Sequence, residues 1–358
     1  VCLAREGEEA ARKKLGPVGR GVEGLRPLQR VEIDEWRADL ITLLSEAGLY
    51  DWLNDEEKRK YGLDNGNVRV LVTVAICAVT KCIVGMKVSL EGTSDSARQT
   101  IEMILDDKGV WSDAVGALTP WHMSGRPSLI VTDCVKYNIS EKTRRSVAAI
   151  NSRLLHCPAG VPEMKAVIER VFRTMATKLM PRLTGRTFGD VVTKGDRDPE
   201  KEAALTFEDF CEVLVRWVVD IYHREPHRSL GGAAPLDYWN RLVKEFGVVP
   251  APDKKVRKLA FGHEATRVVQ KNGITLMGIR YQDYPIAEWM LHNEDREVRI
   301  LWHHQDLGSI LVEIDGEWIE VRDVFGAFDG VSARTWEATG KALRASNARA
   351  AEMHIEVV

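Results

Sequence analysis

Long apolar runs are missing from this chain. None approaches the roughly 18 residues that a membrane-spanning helix needs, so nothing in it reads as a membrane span. Its first residues, Val1-Cys2-Leu3-Ala4-Arg5-Glu6, lack the basic, apolar and small-residue succession of a signal peptide. An initiator Met is lacking too, and a processed or truncated product is expected. Six cysteines (Cys2, Cys77, Cys82, Cys134, Cys157, Cys211) include no CxxC pair. No cysteine and histidine cluster has zinc-ligand spacing, and buried free thiols in a reducing cytoplasm are expected. Positive charge is not in excess either, since the formal net charge is −3. That sum alone argues against a phosphate-binding protein, which needs Lys and Arg at the contact.

Distribution matters more than the sum. Residues 31–66 hold ten acids against four bases, whereas residues 165–197 hold eight bases against three acids. A charge run of this kind is either a solvated face or a binding surface, and the composition leaves both open. With 358 residues, 44% hydrophobic and 29% charged, the chain has the makings of two soluble domains plus tails.

Three acids stand out by their setting. Asp34 ends an extended run, Arg30-Val31-Glu32-Ile33, and Asp133 ends another, Ser128-Leu129-Ile130-Val131-Thr132. Glu169 lies inside an amphipathic stretch from Pro162 to Met180, with 35 residues between it and Asp133. Two strand-end acids and one on a neighbouring helix can place three carboxylates around a pair of divalent cations, an arrangement that serves phosphodiester chemistry. Glu35 adjoins Asp34, but strand alternation turns neighbours to opposite faces, so one of the two faces the site. Lys165 and Arg173, four residues either side of Glu169, read equally as a surface ion-pair ladder.

The rest of the chain divides by pattern. Residues 1–28 are polar, Gly-rich and basic and read as an arm or linker. Residues 68–79 and 82–90 are β-branched and apolar enough for two buried strands, preceded by an acidic insert at about 43–66. Helices are expected over Ser94–Asp107, Glu141–Ile150, from Pro162 onward, and over Phe207–Tyr222 with Trp217, Val218 and Ile221 inward. A short strand is expected at Ser152–His156. With the strands at Asp34 and Asp133 these make a mixed α/β sheet over residues 29–245. After a basic hinge, Lys254–Lys258, short strands with Lys271-Asn272-Gly273 and Asp315-Gly316 turns predict a small all-β barrel over 259–328. Residues 329–358 are Ala- and Arg-rich, too poor in apolar surface for a core, and read as a helix-prone tail.

Four segments in this order, RVEIDEW at Asp34, IVTD at Asp133, PEMKAVIERVF at Glu169 and YHREPHRSLGGAAPLDYW from Tyr222, resemble the DDE transposase and retroviral-integrase superfamily. Within it they resemble the Mu-type and Tn-type bacterial DNA transposases. The small zinc domain at the front of retroviral integrases has no counterpart here. The resemblance implies an RNase H-like sheet with flanking helices followed by a β-barrel. It implies 3′-end cleavage and strand transfer of transposon or prophage DNA ends into target DNA. Asp34, Asp133 and Glu169 would hold two Mg²⁺ or Mn²⁺ ions, since oxygen ligands without thiolate or imidazole favour these. Lys136, Asn138, Lys165, Arg173, Arg182, His227 and Arg228 would contact double-stranded DNA. Relatives often follow the second Asp with Asn-Gly, where this chain has Cys134-Val135. A tetramer on DNA, a target-selecting ATPase bound through the tail and a place at the bacterial nucleoid are also implied. A nuclease of the same fold, hydrolysing only, and a domesticated DNA binder are the alternatives.

Overall fold

β2 (Asn67–Cys77) is buried from Val70 to Cys77 without alternation, which marks a strand covered on both faces. It lies inside the five-stranded sheet of the computed structural model, in the order β3-β2-β1-β4-β5. The structure describes residues 24–43, 67–89, 94–133, 140–157, 162–183, 206–294 and 296–340. Most of the expected basic arm, the acidic insert beyond 43, Lys136, Asn138 and the end of the tail lie outside those residues. By its internal contacts the chain divides into two units, Val1–Asn138 with Leu154–Pro250, and Ile139–Arg153 with Ala251–Val358.

In the first unit β1 (Val31–Leu43) pairs antiparallel with β2, Asp34 opposite Val74, and β2 pairs antiparallel with β3 (Ile83–Ser89). β4 (Leu129–Thr132) runs parallel to β1, with β5 (Arg153–His156) outside it, so the sheet is mixed as expected. One difference concerns β1. The extended run at Asp34 does not end there, because the strand continues to Leu43 with a register shift between Arg37 and Ile41. Glu35 and Arg37 look polar enough to break a strand, yet Trp36 and Ala38 carry the alternation on.

Helix α1 (Ser94–Leu105) buries Ala97, Ile101, Ile104 and Leu105, the expected face. It is seated close to β3 because Gly85 has no Cβ, which would stand 2.7 Å from the Thr100 carbonyl. The short α2 (Gly109–Ala114) follows. Lys108, just before it, is fully buried and donates to the carbonyls of Met103, Asp106 and Met123, and burial pulls its pKa down to about 7. Helix α5 (Phe207–Arg216) starts from a Thr206–Asp209 capping box and widens into a π-helical turn over Trp217–Tyr222. That widening turns Ile221, expected inward, to the surface, while Trp217 and Val218 stay buried. His223 follows, fully buried, its Nε2 accepting from Ile83 N at 2.9 Å, so the ring is neutral with its proton on Nδ1. α6 (Pro235–Phe246) closes the unit.

The second unit is built on an antiparallel sheet of order β11-β10-β9-β6: Glu317–Arg322, Asp306–Ile314, Glu297–His303 and His263–Val268. Residues 274–281, between two of the expected turns, form a hairpin of their own, β7 (Ile274–Leu276) and β8 (Ile279–Tyr281). Met277 and Gly278 both have positive φ in its two-residue turn. Gln282 N donates to Arg322 O and Val324 N to Arg280 O, so pairing passes from the end of β11 to β8 and the sheet curls into a small barrel. Ile274, Tyr281, Ile300, Ile310, Val312 and Val321 belong to its single core.

Four helices of this unit differ from expectation. The basic hinge is helix α7 (Lys254–Phe261), capped by Asp253, and Ser146 of α3 (Glu141–Ala149) donates to its Ala260 carbonyl. The helix expected beside the catalytic sheet therefore packs with the barrel, because its face of Thr143, Ser146 and Val147 is buried there. α8 (Tyr284–His292), unexpected, starts from Asp283 with a Pro in its first turn. A helix over 333–340 begins the segment expected as a tail. Ala333 is in the core, and Trp336 Nε1 donates to Met277 O at 2.9 Å. Leu28, at the end of the expected arm, is likewise buried. Cys77, Cys82 and Cys157 are buried free thiols and Cys211 is half-buried.

Candidate active site

One face of β1 carries Glu32, Asp34 and Trp36, two residues apart, and each meets the same neighbouring segment. Glu32 Oε2 accepts from the backbone N–H groups of Val167 and Ile168, both at 3.1 Å. These open helix α4 (Ala166–Thr174), whose unpaired N–H groups and dipole favour a carboxylate there. Glu32 is fully buried, and burial raises its pKa against these bonds and the nearby Arg30. Trp36 stacks on Phe172 of α4, centroids 6.1 Å apart. Between them Asp34 Oδ2 accepts from Lys165 Nζ at 2.7 Å.

Parallel pairing of β1 and β4 matches Val31 with Ile130 and Glu32 with Val131. The same offset, 130 − 31 = 99, brings Asp34 level with Asp133, one residue past the end of β4. Lys165 Nζ lies 3.7 Å from Asp133 Oδ2, so a single ammonium stands between the two carboxylates. Burial works against the Lys165 charge, but the hydrogen bond and charge of Asp34 and the charge of Asp133 outweigh it and hold its pKa above the ordinary lysine range. Lys165 ends a 3₁₀ turn, Pro162–Lys165, and the α-helix proper starts at Ala166 rather than at Pro162. The Glu32 carboxylate fixes that start.

Glu35 faces the other way, accepting from Thr73 Oγ1 at 3.2 Å. Glu169 is exposed on the first turn of α4, and among the described residues it forms no ion pair with Lys165 or Arg173, so the ladder reading fails. Lys165, expected on the DNA, has its ammonium on the acid pair instead. Arg173, Arg182 and Arg228 are exposed. His227 is half-buried, with Nδ1 2.9 Å from Ser229 Oγ, and burial, then Lys81 and Arg170, lower its pKa. Sequence reading missed Glu32 as the residue that seats α4. Its signal was the two-residue spacing from Asp34.

Two hard-oxygen donors converging on one positive charge fit a divalent cation; Glu169 is exposed on the first turn of the docked helix, and among the described residues its carboxylate does not converge with those of Asp34 and Asp133 into one close group. That fit rests on the Lys165 ammonium, which already holds a cation's place between the acids.

Residues 60–185 match the family described as TnsB C-terminal domain, a span that includes Asp133, Lys165 and Glu169. Residues 258–320 match Mu transposase, C-terminal. The chain is 22% identical over 261 residues to the transposase for transposon Tn552 of Staphylococcus aureus, covering 72% of this chain and 50% of that one. It thus spans about half the length of that curated relative. Among solved structures it is similar to the simian T-cell lymphotropic virus intasome in complex with PP2A regulatory subunit B56 gamma. The TM-score is 0.39 at 14% identity, over 88% of this chain and 84% of that one. It is also similar to the catalytic core domain of BIV integrase, with a TM-score of 0.32 at 10% identity over 61% and 97%. A TnsB-type match over residues 60–185 and a Mu-type match over residues 258–320, in that order, together with the Tn552 relative, make this chain similar to bacterial DNA transposases.

Proposed function

We propose that this chain cleaves and joins DNA 3′ ends as the catalytic part of a DNA transposase. The observation that carries the reading is the pair Asp34 and Asp133, level on parallel strands and sharing one cation. Asp34, Asp133 and Glu169 would hold Mg²⁺ or Mn²⁺, two per site. Bound there, such ions supply the positive charge that activates an attacking oxygen and stabilises a leaving one.

The chain's own residues do the rest. Glu32 and Trp36 hold α4 against the sheet, so Glu169 is presented from a fixed helix. Lys165 keeps the two aspartates together until a substrate and its ions take that place. In-line attack by water, and then by the freed 3′-hydroxyl, needs no covalent bond to protein, so no Ser, Tyr or Cys nucleophile is required. Arg173, Arg182 and Arg228, exposed, would contact double-stranded DNA, with Lys136 and Asn138 just past Asp133. Assembly would be a tetramer on end DNA, and the C-terminal tail, residues 329–358, would engage a target-selecting ATPase.

Incubating the protein with a pre-cut DNA end, a plasmid and Mn²⁺ tests this. Joined product supports a transposase. Nicking without joining would make the chain a nuclease, and binding alone a DNA-binding protein.

A further inference from the structure

A second polar constellation lies on α4, on the flank away from Glu169. Val167 and Val171 form the apolar wall of a pocket there, and Lys81, Arg170, Tyr222 and His227 supply its polar lining. Thr174 completes the lining, its hydroxyl already donating to the Arg170 carbonyl; each of the other four polar residues is a cation or can donate a hydrogen bond, and among the described residues no carboxylate lines the pocket. Tyr222 is 5% exposed, and its hydroxyl makes no hydrogen bond among the described residues. Burial first, and then the neighbouring Cys82, push its pKa up, so it is a neutral donor with nothing to donate to.

Lys81 adds a second observation. It sits in the turn between β2 and β3 with φ +62, a left-handed conformation that disfavours a lysine, and it is 9% exposed. Its ammonium donates to the Ala78 carbonyl, which leaves further donor capacity. Burial, the largest influence, lowers its pKa, with Cys77 and Glu32 opposing and Arg170 adding to it. Arg170 is exposed and forms no ion pair among the described residues. His227 Nδ1 is engaged by Ser229, leaving Nε2 available. Two cations, a hydroxyl and an imidazole around one hollow suit a tetrahedral oxyanion with several acceptor oxygens.

We propose that Lys81, Arg170, Tyr222 and His227 form a pocket for one backbone phosphate of the bound DNA strand, distinct from the phosphate that reacts. The assignment of the phosphate to DNA rests on the transposase reading above. The placement agrees with it. Cys77, at the start of the turn that carries Lys81, pairs with Val31, three residues along β1 from Asp34 and thus about 10 Å from it. A strand engaged at Asp34 and Asp133 carries further phosphates across that distance. These four would be positioning residues, fixing the strand's register over the acids.

The test is titration of the whole chain with duplex DNA of arbitrary sequence at several KCl concentrations. For Arg170→Ala the slope of log affinity against log salt should fall by about one unit, as one phosphate contact is lost. Tyr222→Phe should weaken binding severalfold with the slope unchanged, because it removes a donor and no charge. Arg216→Ala, whose guanidinium pairs with Glu212, is the control and should leave both unchanged. Unchanged binding in both pocket variants, with the wild type still binding, overturns the pocket alone. A slope that falls equally in the Arg216 variant overturns it too, as a general charge effect. No binding by the wild type overturns the DNA reading itself. Thermal stabilisation by inorganic phosphate, lost in Arg170→Ala while DNA binding is unaffected, would show a pocket for free phosphate and overturn the assignment to DNA.

Discussion

Each unit holds a pair of acids that share a lysine, and the two pairs are held differently. In the barrel unit Lys258 Nζ lies 3.6 Å from both Asp306 and Glu320. Those carboxylates are also tied into the fold: Asp306 Oδ1 accepts from the N–H groups of Gly308 and Gly330, and Glu320 accepts from Ser309 Oγ at 2.6 Å. In the sheet unit Asp34 Oδ1 accepts from the N–H of its own neighbour, Glu35, and Oδ2 faces Lys165. Lys258 is 2% exposed, whereas Lys165, Asp34 and Asp133 are 11%, 18% and 29% exposed, open to a ligand that could replace the ammonium. A lysine between two acids is therefore not a site by itself. The two pairs differ in how deeply their lysine is buried and in how Asp306 and Glu320 are fastened to their own unit.

Activity separates the pairs most sharply. Asp34→Asn and Asp133→Asn, and Glu169→Gln on α4, should each cut strand transfer by about 1,000-fold or more, equivalent to about 4 kcal/mol of transition-state stabilisation, with the melting temperature nearly unchanged. Glu35→Gln, facing Thr73, should stay active. Asp306→Asn should do the reverse, lowering the stability of the barrel unit without a direct effect on the chemistry. Joining by any of the three acid variants at near wild-type rate would remove that acid from the site.

Stability in the presence of a divalent ion sharpens the contrast. Lys258→Met leaves Asp306 and Glu320 without their shared cation and should cost on the order of 3 kcal/mol, which Mn²⁺ does not restore. Lys165→Met should cost less, and Mn²⁺ should raise its melting temperature more than it raises that of the wild type, because no ammonium then competes for Asp34 and Asp133. Equal Mn²⁺ responses in wild type and Lys165→Met would mean that the ion does not bind where the ammonium stands.

The parts of this arrangement that sequence reading reached are those with a strong local period. β2 was legible because burial on both faces demands an unbroken apolar run, and α1 because its apolar face recurs every three or four residues. The short apolar runs before Asp34 and Asp133 mark the strands that carry them, and the parallel register brings the two acids level. Lys165 was misplaced because it was read as part of the helix surface. In the structure it precedes the helix, in a 3₁₀ turn whose end is set by Glu32, a partner more than 130 residues away that no local pattern contains. Ile221 faces outward because a π-helical turn breaks the period, and the sequence Trp217–Tyr222 carries no mark of it. α8 was different: Asp283 and Pro285 gave a start signal that the strand-rich context obscured.

A smaller effect distinguishes the units by pH. His223 is buried and neutral, and burial first, then Lys108 and His122, push its pKa down to about 3 from an ordinary value near 6.5. The unfolded chain therefore takes up a proton that the folded chain refuses. Stability from this residue is fully present above about pH 6.5 and is lost as pH falls from there toward 3, by at most about 1.4 kcal/mol per pH unit. Between pH 7 and 5, urea unfolding of the sheet unit should show this loss in the wild type and much less of it in His223→Asn. A parallel pH dependence in the two proteins would show that His223 is not the group responsible.

The smallest expected effect tests whether the exposed flank of the site, unlike the barrel's surface charges, meets DNA. Arg173 and Arg182 are exposed, whereas Arg299 on the barrel is taken up by Glu264 and Glu313. A cation already paired gains little from a phosphate, because it must give up its carboxylates first. Arg173→Ala and Arg182→Ala should each weaken binding to unrelated duplexes about equally and lower the salt slope by roughly one unit, while Arg299→Ala should leave the slope alone. If the three variants behave alike, the basic stretch beyond Glu169 is a solvated face, and the DNA path over this unit must be sought elsewhere.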